Sequence, residues 1–341
     1  MDKAKETILD TFDDNEIDAE EIDFNDFKVL LGKGGHGEVF LVQQSRFKRA
    51  AKVVSLRGLQ EEKRRKLYEG VRKELSTMCR VDRCDNIVRV FGVVRNIPDK
   101  LVLIMEYASK GSLRDYLDNE KDNPLPKEEV LNLVYDIVNG MKYIYSKNVE
   151  HRDLKTDNVL LDTYQGNLVA KVCDFGLSKA DALITSASSK SSKVGTPAWQ
   201  SPEELDDEDV VDDEKCDVYS FGITIFEIIT CKLPWENIKP SKIMTKVLMK
   251  QKRPEYDKEL IISKYDKLCV ELIEACWLQD PNERPTFSEI VDKIKIFHCL
   301  IKTYSAYTVL TASIGFVKTG FKIVIKSEIF TNPVTMRSYL K

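Results

Sequence analysis

The segment HRDLKTDN at residues 151–158 is followed, sixteen residues after it ends, by DFG at residues 174–176. Asp153, Asn158 and Asp174 carry side-chain oxygens of the kind that hard cations such as Mg²⁺ prefer, and Lys155 can balance the charge of a phosphate. The apolar runs between the two segments predict a strand, a turn and a second strand, with the polar residues in loops that face a site. A polar loop would account for any one of these residues, but not for all of them together. The joint pattern therefore predicts a site for metal and phosphate.

The composition is that of an ordinary folded protein: 43% of the 341 residues are hydrophobic and 32% are charged. This length allows one large core or two lobes. The net charge of −4 creates no strong field, so neither nucleic acid nor an anionic membrane is expected as a partner. The longest uncharged stretch near the end, residues 304–317, is shorter than the roughly 20 residues that span a bilayer, so no membrane span is predicted.

The start of the chain and its cysteines bear on the cellular compartment. Charged residues between Asp2 and Glu6 interrupt the start, so no secretory signal peptide is predicted. The eight cysteines form no C-x-x-C pair and only three histidines are present, so a zinc site is not expected. These features predict buried, reduced thiols and a cytoplasmic location, with the nucleus as the alternative.

A glycine-rich segment, GKGGHG at residues 32–37, lies between two strand-like runs. Glycine permits positive φ angles and lets backbone N–H groups approach an anion closely, which suits a phosphate. The pattern alone is weakly specific, because dinucleotide-binding folds share it, but here a strand follows the loop where those folds have a helix. His36 at the loop tip either covers a phosphate or is a partly exposed residue without a catalytic role, and the second interpretation is favoured.

Lys52 is a single cation inside the apolar run of the next predicted strand, residues 49–54. Such a lysine usually faces solvent, so a phosphate-binding role needs further support. The charged stretch 59–81 has the apolar spacing of a helix. Glu74 lies beside its apolar stripe and is predicted to pair with Lys52, with Glu69 as the weaker alternative. Both glutamates would otherwise only solvate the helix.

The second half of the chain has a helical pattern. Apolar residues recur at intervals of three and four from Val130 to Ile144 and predict a helix with one apolar face. Residues 218–229 are apolar nearly all round, which is typical of a helix buried at the centre of a large lobe. Thr286 and Glu289 have the spacing of a capping box and predict the start of the last clear helix.

Together these motifs resemble the eukaryotic protein kinases over residues 27–297, in the right order and spacing. GTPAW at residues 195–199 and DVYSFG at residues 217–222 are similar to the tyrosine-kinase-like group, which acts mostly on serine and threonine. The resemblance implies an α+β, two-lobed kinase fold. Its small lobe has an antiparallel sheet with one helix, and its larger lobe is mainly helical.

The resemblance also divides the chain. Residues 1–26 hold eleven Asp and Glu against two Lys and are expected to be a solvated, largely disordered arm. Docking of Ile17, Ile22 and Phe24 on the domain is left open. The sequence does not predict a structure for the tail, residues 298–341. The kinase domain spans residues 27–297, with an N-lobe at 27–105, a hinge at 106–111, a C-lobe at 112–297 and an activation segment at 174–203.

Carried over to this chain, the resemblance implies ATP as co-substrate and Mg²⁺ as cofactor. Because a carboxylate is a weak base for an alcohol, Asp153 is expected to orient the acceptor hydroxyl and to take its proton late. The implied catalytic residues are Lys52, Glu74, Asp153, Lys155 and Thr196, and the implied magnesium ligands are Asn158 and Asp174. The implied ATP-binding residues are Leu31, Gly32, Lys33, Gly34, Gly35, His36, Gly37, Glu38, Val39, Ala50, Lys52, Met105, Glu106, Ala108 and Leu160.

Two further expectations concern the activation segment. Ser201 stands where the family usually has alanine, a small residue for a small residue, and the expected ion pair of Glu203 with Arg284 is retained. Six serines and threonines between Thr185 and Ser192 are candidates for phosphorylation, which would order the segment by pairing with Arg152. The alternative is a flexible polar loop without modification.

A buried aspartate is expected to hold the first segment in place. In the family, Asp217 bonds the backbone beside His151 and Arg152. His151 is then expected to be structural, packed beneath Phe175, and not a catalytic base.

The predicted function is phosphoryl transfer from ATP to serine and threonine hydroxyls of protein substrates, because Lys155, two residues after Asp153, resembles the serine/threonine type. Dual specificity is an open alternative. The competing class is a pseudokinase, an ATP-binding scaffold without transfer activity. Its mark would be loss of the lysine, the base or a metal ligand, and all of these are present. The sequence gives no indication of the oligomeric state.

Overall fold

The computed structural model describes residues 16–23, 29–34, 37–58, 60–62, 64–65, 84–94, 97, 99–120, 125–174, 197–206 and 212–297. The described residues up to Ile294 belong to one unit, which contains both lobes. Of a second unit, residues 295–341, only residues 295–297 are described. Most of the predicted small-lobe helix and the whole of the tail lie outside the described residues.

The small lobe is built on a seven-stranded sheet. Its strands are β1 Glu16–Ile17, β2 Ile22–Asp23, β3 Leu30–Gly34, β4 Gly37–Gln44, β5 Phe47–Ser55, β6 Val90–Val94 and β7 Lys100–Glu106. Their order is β1-β6-β7-β5-β4-β2, and β3 also pairs with β4. All pairs are antiparallel except β1 with β6. The predicted antiparallel small-lobe sheet is therefore confirmed.

Strand β5 sorts its side chains to two faces because successive residues of a strand point in opposite directions. Ala51 and Val53 pack into a hydrophobic cluster on one face. Lys52 lies between them and points to the other face, where its cross-strand partner is Val39. The lysine is buried all the same. The solvent-facing interpretation of Lys52 is therefore wrong.

The acidic segment before the glycine-rich loop enters the sheet. β1 pairs with Val93 and Val94 of β6, and β2 pairs with the end of β4. Ile17 and Ile22 are 7% and 4% exposed and belong to the same hydrophobic cluster as Ala51. The expectation of a disordered arm is wrong for residues 16–23, because both isoleucines reach the core while the acidic residues between them stay exposed. The docking of both isoleucines is thus observed, whereas Phe24 lies outside the described residues.

The large lobe is mainly helical, as predicted. Its helices are α1 Leu113–Asn119, α2 Lys127–Ser146, α3 Pro202–Leu205, α4 Asp213–Thr230, α5 Pro240–Met244, α6 Lys258–Lys264, α7 Lys267–Cys276 and α8 at residues 287–297. Thr245–Met249 forms a π-helical turn, Thr156–Asn158 and Pro281–Glu283 are 3₁₀ turns, and a hairpin is formed by β8 Val159–Tyr164 and β9 Asn167–Val172. Among the helices described, none is long and apolar enough to cross a membrane.

Helix α4 lies at the centre of the large lobe. Every residue from Cys216 to Ile229 is buried, as the nearly continuous apolar run predicts. Two carboxylates, Asp217 and Glu227, are buried within this stretch. A buried carboxylate is costly unless it is paired or hydrogen-bonded, so both are expected to have specific partners.

The end of the activation segment is fixed at two points. Both Nη atoms of Arg284 donate to the carboxylate of Glu203, at 2.6 and 2.9 Å, which is the expected ion pair. Ser201 caps α3 through a capping box with Glu204. Ser201 is therefore not equivalent to alanine, contrary to the expectation from the sequence, because alanine has no hydroxyl to accept from the Glu204 N–H.

The hinge is attached to the large lobe by backbone hydrogen bonds. The N–H of Lys110 donates to the Leu161 carbonyl, and the N–H of Leu161 donates to the Gly111 carbonyl, at 3.0 and 2.9 Å. Gly111 has a φ of 74°, which glycine adopts without strain. These bonds join the hinge directly to β8, the first strand of the β8–β9 hairpin.

The burial of Ile22 gives a stability prediction. We expect Ile22→Ala to lower the free energy of unfolding by about 2–3 kcal/mol, because the substitution leaves a cavity in the small-lobe core. Ile262→Ala in α6 is the matched control, since that isoleucine is 37% exposed. Urea unfolding followed by circular dichroism measures both. Equal effects of the two substitutions would contradict the integration of residues 16–23 into the sheet.

Candidate active site

Asp217 of α4 holds the loop that contains the HRD segment. Its carboxylate accepts hydrogen bonds from the backbone N–H groups of His151 and Arg152, each at 2.8 Å, and from the Tyr145 hydroxyl. Burial raises the pKa of Asp217 to about 6, and these hydrogen bonds work against that rise. The backbone contact inferred from the family is therefore observed.

The backbone is strained on both sides of the site. Arg152 and Asp174 have φ angles of 66° and 59°, in the left-handed region. This conformation costs a residue other than glycine roughly 1–2 kcal/mol, so it persists only where the surroundings hold it. At Arg152 the hydrogen bond to Asp217 supplies that hold.

His151 is fully buried and has a partner at each ring nitrogen. The N–H of Asp153 donates to Nδ1 at 3.3 Å, so the Nε2–H donates to the Cys173 carbonyl at 3.0 Å. Burial lowers the pKa of His151 to about 4, which leaves the ring neutral near pH 7. These contacts make His151 a structural link between the two segments, as predicted. Phe175, its expected neighbour, lies outside the described residues.

Asp153 lies at the centre of a small polar cluster. The Lys155 ammonium is 2.9 Å from its Oδ2, and the Asn158 side-chain amide donates to the same oxygen at 2.9 Å. Asn158 also donates to the Asp153 backbone carbonyl at 2.7 Å. Because these bonds use the amide N–H groups of Asn158, its side-chain oxygen remains as the atom that suits a cation.

Lys52 connects the small lobe to the second segment. Its ammonium is 3.1 Å from Oδ1 of Asp174, and the two side chains are 5% and 34% exposed. The predicted partner Glu74 and the alternative Glu69 lie outside the described residues. The pairing therefore places the lysine and the aspartate, predicted phosphate and metal ligands, side by side.

The donor set fits Mg²⁺. Asp174 offers a carboxylate and Asn158 an amide oxygen, both hard oxygen donors. Magnesium is usually bound by one or two protein carboxylates and completes its octahedron with water and substrate phosphates, so two protein donors are enough.

Four of the residues predicted to bind the nucleotide share one face of the small-lobe sheet. Val39 is paired with Lys52, and Ala50 is paired with Met105, so all four side chains lie on the face opposite the hydrophobic cluster. Leu31, Gly32, Lys33 and Gly34 lie on β3, Gly37 and Glu38 on β4, Glu106 at the end of β7, Ala108 in the hinge and Leu160 on β8. Gly35 and His36 lie outside the described residues.

Among the described residues of the glycine-rich segment, Gly37 lies at a position that only glycine can occupy. Gly37 has a φ of 122°, and a Cβ atom there would lie 2.4 Å from the Val53 carbonyl oxygen. Lys33 and Glu38, opposite each other in the register, form an exposed ion pair at 2.8 Å. The strands on either side of the predicted phosphate loop, β3 and β4, are thus paired up to Gly34 and Gly37.

Arg152, the predicted partner of a phosphorylated residue, already has two carboxylate partners. Its guanidinium contacts Glu150 at 2.6 Å and Asp213 at 3.0 Å. Thr196 and the serines and threonines from Thr185 to Ser192 lie outside the described residues. Phosphorylation of the segment stays a prediction, and Glu150 is a partner of Arg152 that the sequence analysis did not identify.

The structure brings the described residues with predicted catalytic and metal-binding roles together in two clusters, and their roles stay predictions. Asp153, Lys155 and Asn158 form one cluster, and Lys52 and Asp174 form another. Glu227, which contacts Thr156 beside Lys155, was not predicted as a site residue from the sequence. Its signal was present, because Glu227 is the single charged residue in the apolar run 218–229.

Comparison with known proteins agrees with this geometry. Residues 26–294 match the family model described as protein kinase domain. In Arabidopsis thaliana, the serine/threonine-protein kinase CTR1 is 35% identical over 286 residues, which are 83% of this chain and 32% of that protein. From the same plant, the serine/threonine/tyrosine-protein kinase HT1 is 32% identical over 80% of this chain and 66% of its own length. The serine/threonine-protein kinase STY17 is 31% identical, over 80% and 45%.

This chain thus spans less than two thirds of each of these relatives. CTR1 and HT1 are members of the tyrosine-kinase-like group, in agreement with the resemblance of residues 195–222. The family match covers both segments of the site and both lobes of the fold. The chain belongs to the protein kinase domain family.

Proposed function

We propose that this chain is an ATP- and Mg²⁺-dependent protein serine/threonine kinase. The observation that carries the proposal is the joint placement of Asp153 with Lys155 and Asn158, and of Lys52 with Asp174, in the cleft of a kinase fold. Names of the relatives support the same activity, since CTR1 and STY17 are called serine/threonine-protein kinases.

The transfer needs positioning more than covalent help from the protein, because charge in its transition state is spread over the phosphoryl oxygens. The acceptor oxygen bonds to the γ-phosphorus, the bond from that phosphorus to its bridging oxygen breaks, and ADP leaves with that oxygen. Asp153 orients the acceptor hydroxyl and takes its proton, which then passes to solvent. Lys155, held 2.9 Å from Asp153, lies where its charge stabilises the transferred group.

Lys52, Asn158 and Asp174 are the residues proposed to contact the phosphates of the nucleotide and Mg²⁺. Lys52 is nearly buried, so its charge is weakly screened and acts strongly on phosphate oxygens. Asn158 and Asp174 would hold Mg²⁺, which when bound neutralises the charge of the phosphates. The face formed by Val39, Ala50 and Met105 is apolar and suits the adenine ring.

Serine and threonine are the proposed acceptors, and protein chains the proposed substrates. Lys155 supports this specificity, as do the names of most relatives. The name of HT1 includes tyrosine, so dual specificity is the alternative that one relative supports. We also propose a cytoplasmic location, because the described cysteines are free thiols and four of them, Cys216, Cys231, Cys269 and Cys276, are buried.

The role of Lys52 gives a prediction about activity. We expect Lys52→Met to reduce phosphoryl transfer to a generic basic protein roughly 100-fold or more, because a buried cation that faces the phosphates is removed. Radiolabel transfer from Mg²⁺·ATP measures it. Lys48→Met is the matched control on the same strand, since Lys48 is exposed and is expected to leave the rate unchanged. Equal labelling by wild type and Lys52→Met would contradict the catalytic proposal.

Acceptor specificity is a separate prediction. Acid hydrolysis of the labelled product is expected to release phosphoserine and phosphothreonine, because Lys155 is of the serine/threonine type. An Asp153→Asn preparation controls for contaminating kinases. Phosphotyrosine as the main product would show that the serine/threonine assignment is wrong while leaving kinase activity intact.

Asp217→Asn tests the anchoring of residues 151–158, here called the catalytic loop. The amide has one oxygen in place of two, so one backbone N–H of His151 or Arg152 loses its acceptor, at a cost of about 1–3 kcal/mol. The loss of geometry is expected to reduce kcat roughly tenfold or more. The free energy of unfolding is expected to fall by less than the cost of the lost hydrogen bond. The reason is that the substitution also removes a carboxylate whose ionised form is disfavoured by burial.

The pH dependence of stability checks this reasoning. Since the pKa of Asp217 is raised in the folded protein, the neutral carboxyl favours folding below the unfolded pKa, and this contribution is lost as the pH rises through about 6. The stability difference between wild type and Asp217→Asn is therefore expected to change in favour of the variant mainly between about pH 4 and pH 6, from the unfolded to the folded pKa. A difference that moves the other way would contradict the raised pKa.

A further inference from the structure

Glu227 is a buried carboxylate that none of the predicted steps uses. It lies near the end of α4 and is 0% exposed. Burial raises its pKa to about 7, while hydrogen bonds from Thr156 and Trp199 and the charge of Arg114 lower it. A carboxylate in this position needs an explanation, because an apolar side chain of similar size would fill the same space without that cost.

Three separate parts of the chain converge on this carboxylate. The Thr156 hydroxyl donates to Oε1 at 2.7 Å, and the Thr156 N–H donates to Oε2 at 3.3 Å. The indole N–H of Trp199, at the end of the activation segment, donates to Oε2 at 2.7 Å. The guanidinium of Arg114 in α1 contacts Oε1 at 3.4 Å. One side chain thus connects the catalytic loop, the activation segment and α1.

Two of these contacts lead directly to the residues that face the acceptor. Thr156 follows Lys155 in the chain. The ammonium of Lys155 lies 6.0 Å from the centre of the Trp199 ring and 2.9 Å from the Asp153 carboxylate. Trp199 is also fixed through its carbonyl, which accepts from Ser220 of α4 at 2.8 Å. The position of Lys155 therefore depends on two neighbours that Glu227 holds.

We propose that Glu227 is a positioning residue for phosphoryl transfer to the protein acceptor. By binding Thr156 and Trp199 with one carboxylate, it fixes the two sides of the place where Lys155 and the acceptor hydroxyl meet. This inference rests on the proposed kinase function and adds to it a residue that touches neither ATP nor the acceptor. Glu227 affects how the acceptor hydroxyl is positioned. It does not affect how Lys52 and Asp174 contact the nucleotide.

A purely structural role is the alternative, and the network around Arg114 argues against it. The Nε atom of Arg114 is buried without a hydrogen-bond partner, so the ion pair is not fully satisfied. Buried ion pairs of this kind are weak evidence for stability. The two short bonds of Glu227, both at 2.7 Å, go to Thr156 and Trp199 and not to Arg114.

The test compares Glu227→Gln with Trp199→Phe and the double variant. Glutamine keeps the volume but offers one oxygen and an NH₂ group, so it cannot accept from both donors. Phenylalanine keeps an aromatic ring but lacks the indole N–H. Each single variant is expected to reduce kcat for a protein substrate roughly 10- to 100-fold, with the KM for ATP changed less than about twofold. The kcat of the double variant is expected to equal that of the less active single variant, because both substitutions break the same contact.

Asp118→Asn is the matched control. Asp118 lies on α1 and is also a carboxylate partner of Arg114, at 2.8 Å. It is expected to leave kcat within about twofold of wild type. A fall in kcat for Asp118→Asn as large as that for Glu227→Gln would mean that loss of the Arg114 ion pair explains the effect, and would overturn the proposal.

A second readout separates positioning from loss of folded protein. Water can replace the protein hydroxyl as acceptor, so the ratio of ATP hydrolysis to protein phosphorylation is expected to rise in Glu227→Gln and Trp199→Phe, with rates normalised to bound nucleotide analogue. An unchanged ratio, with both activities reduced in parallel, would overturn the proposal. If Glu227→Gln does not fold, Trp199→Phe decides by the same ratio. Absence of transfer by wild type would instead refute the proposed function itself.

Discussion

The two hydrogen bonds from the backbone of His151 and Arg152 to Asp217 are the interaction on which the site depends. They hold Arg152 in a left-handed conformation that its side chain disfavours, and they fix the turn from which Asp153 projects. A buried carboxylate suits this task because it offers two acceptors at a defined separation. Its desolvation is costly, as the raised pKa shows, and the hydrogen bonds of Tyr145 and the two backbone groups offset that cost.

Helix α4 holds the catalytic loop at both ends. Asp217 binds the loop at residues 151–152 and Glu227 binds it at Thr156, and the two carboxylates are ten residues apart, about 15 Å along the helix. The helix is buried throughout this stretch and is therefore a rigid reference. Asp153 and Lys155 lie between the two anchors, half-buried in the cleft. A reaction controlled by positioning requires a loop that is fixed at both ends and whose central side chains, here Asp153 and Lys155, are accessible.

The sequence predicted the features that repeat or that form long motifs, and missed those that depend on single contacts. Periodicity identified α2 and α4, and motif order identified Asp153, Asn158 and Asp174. Strands β1 and β2 have two residues each, too few for any periodic signal, and acidic neighbours concealed the burial of Ile17 and Ile22. Glu227 was visible as a charge in an apolar run, but its partners Thr156 and Trp199 come from distant parts of the chain.

The charge around Arg152 limits how phosphorylation of the activation segment can act. Glu150 and Asp213 already surround the guanidinium, so this group of three carries a net charge of about −1. A phosphate that reached Arg152 would meet two carboxylates and would have to displace at least one of them. Burial raises the pKa of Asp213, while the charge of Arg152 lowers it and that of Glu150 raises it. Glu150 contacts Arg152 at Nη2 and at Nε, at 2.6 and 2.7 Å, whereas Asp213 contacts the guanidinium at 3.0 Å, so a phosphate that orders the segment at this point is expected to displace Asp213 while Glu150 remains on Arg152.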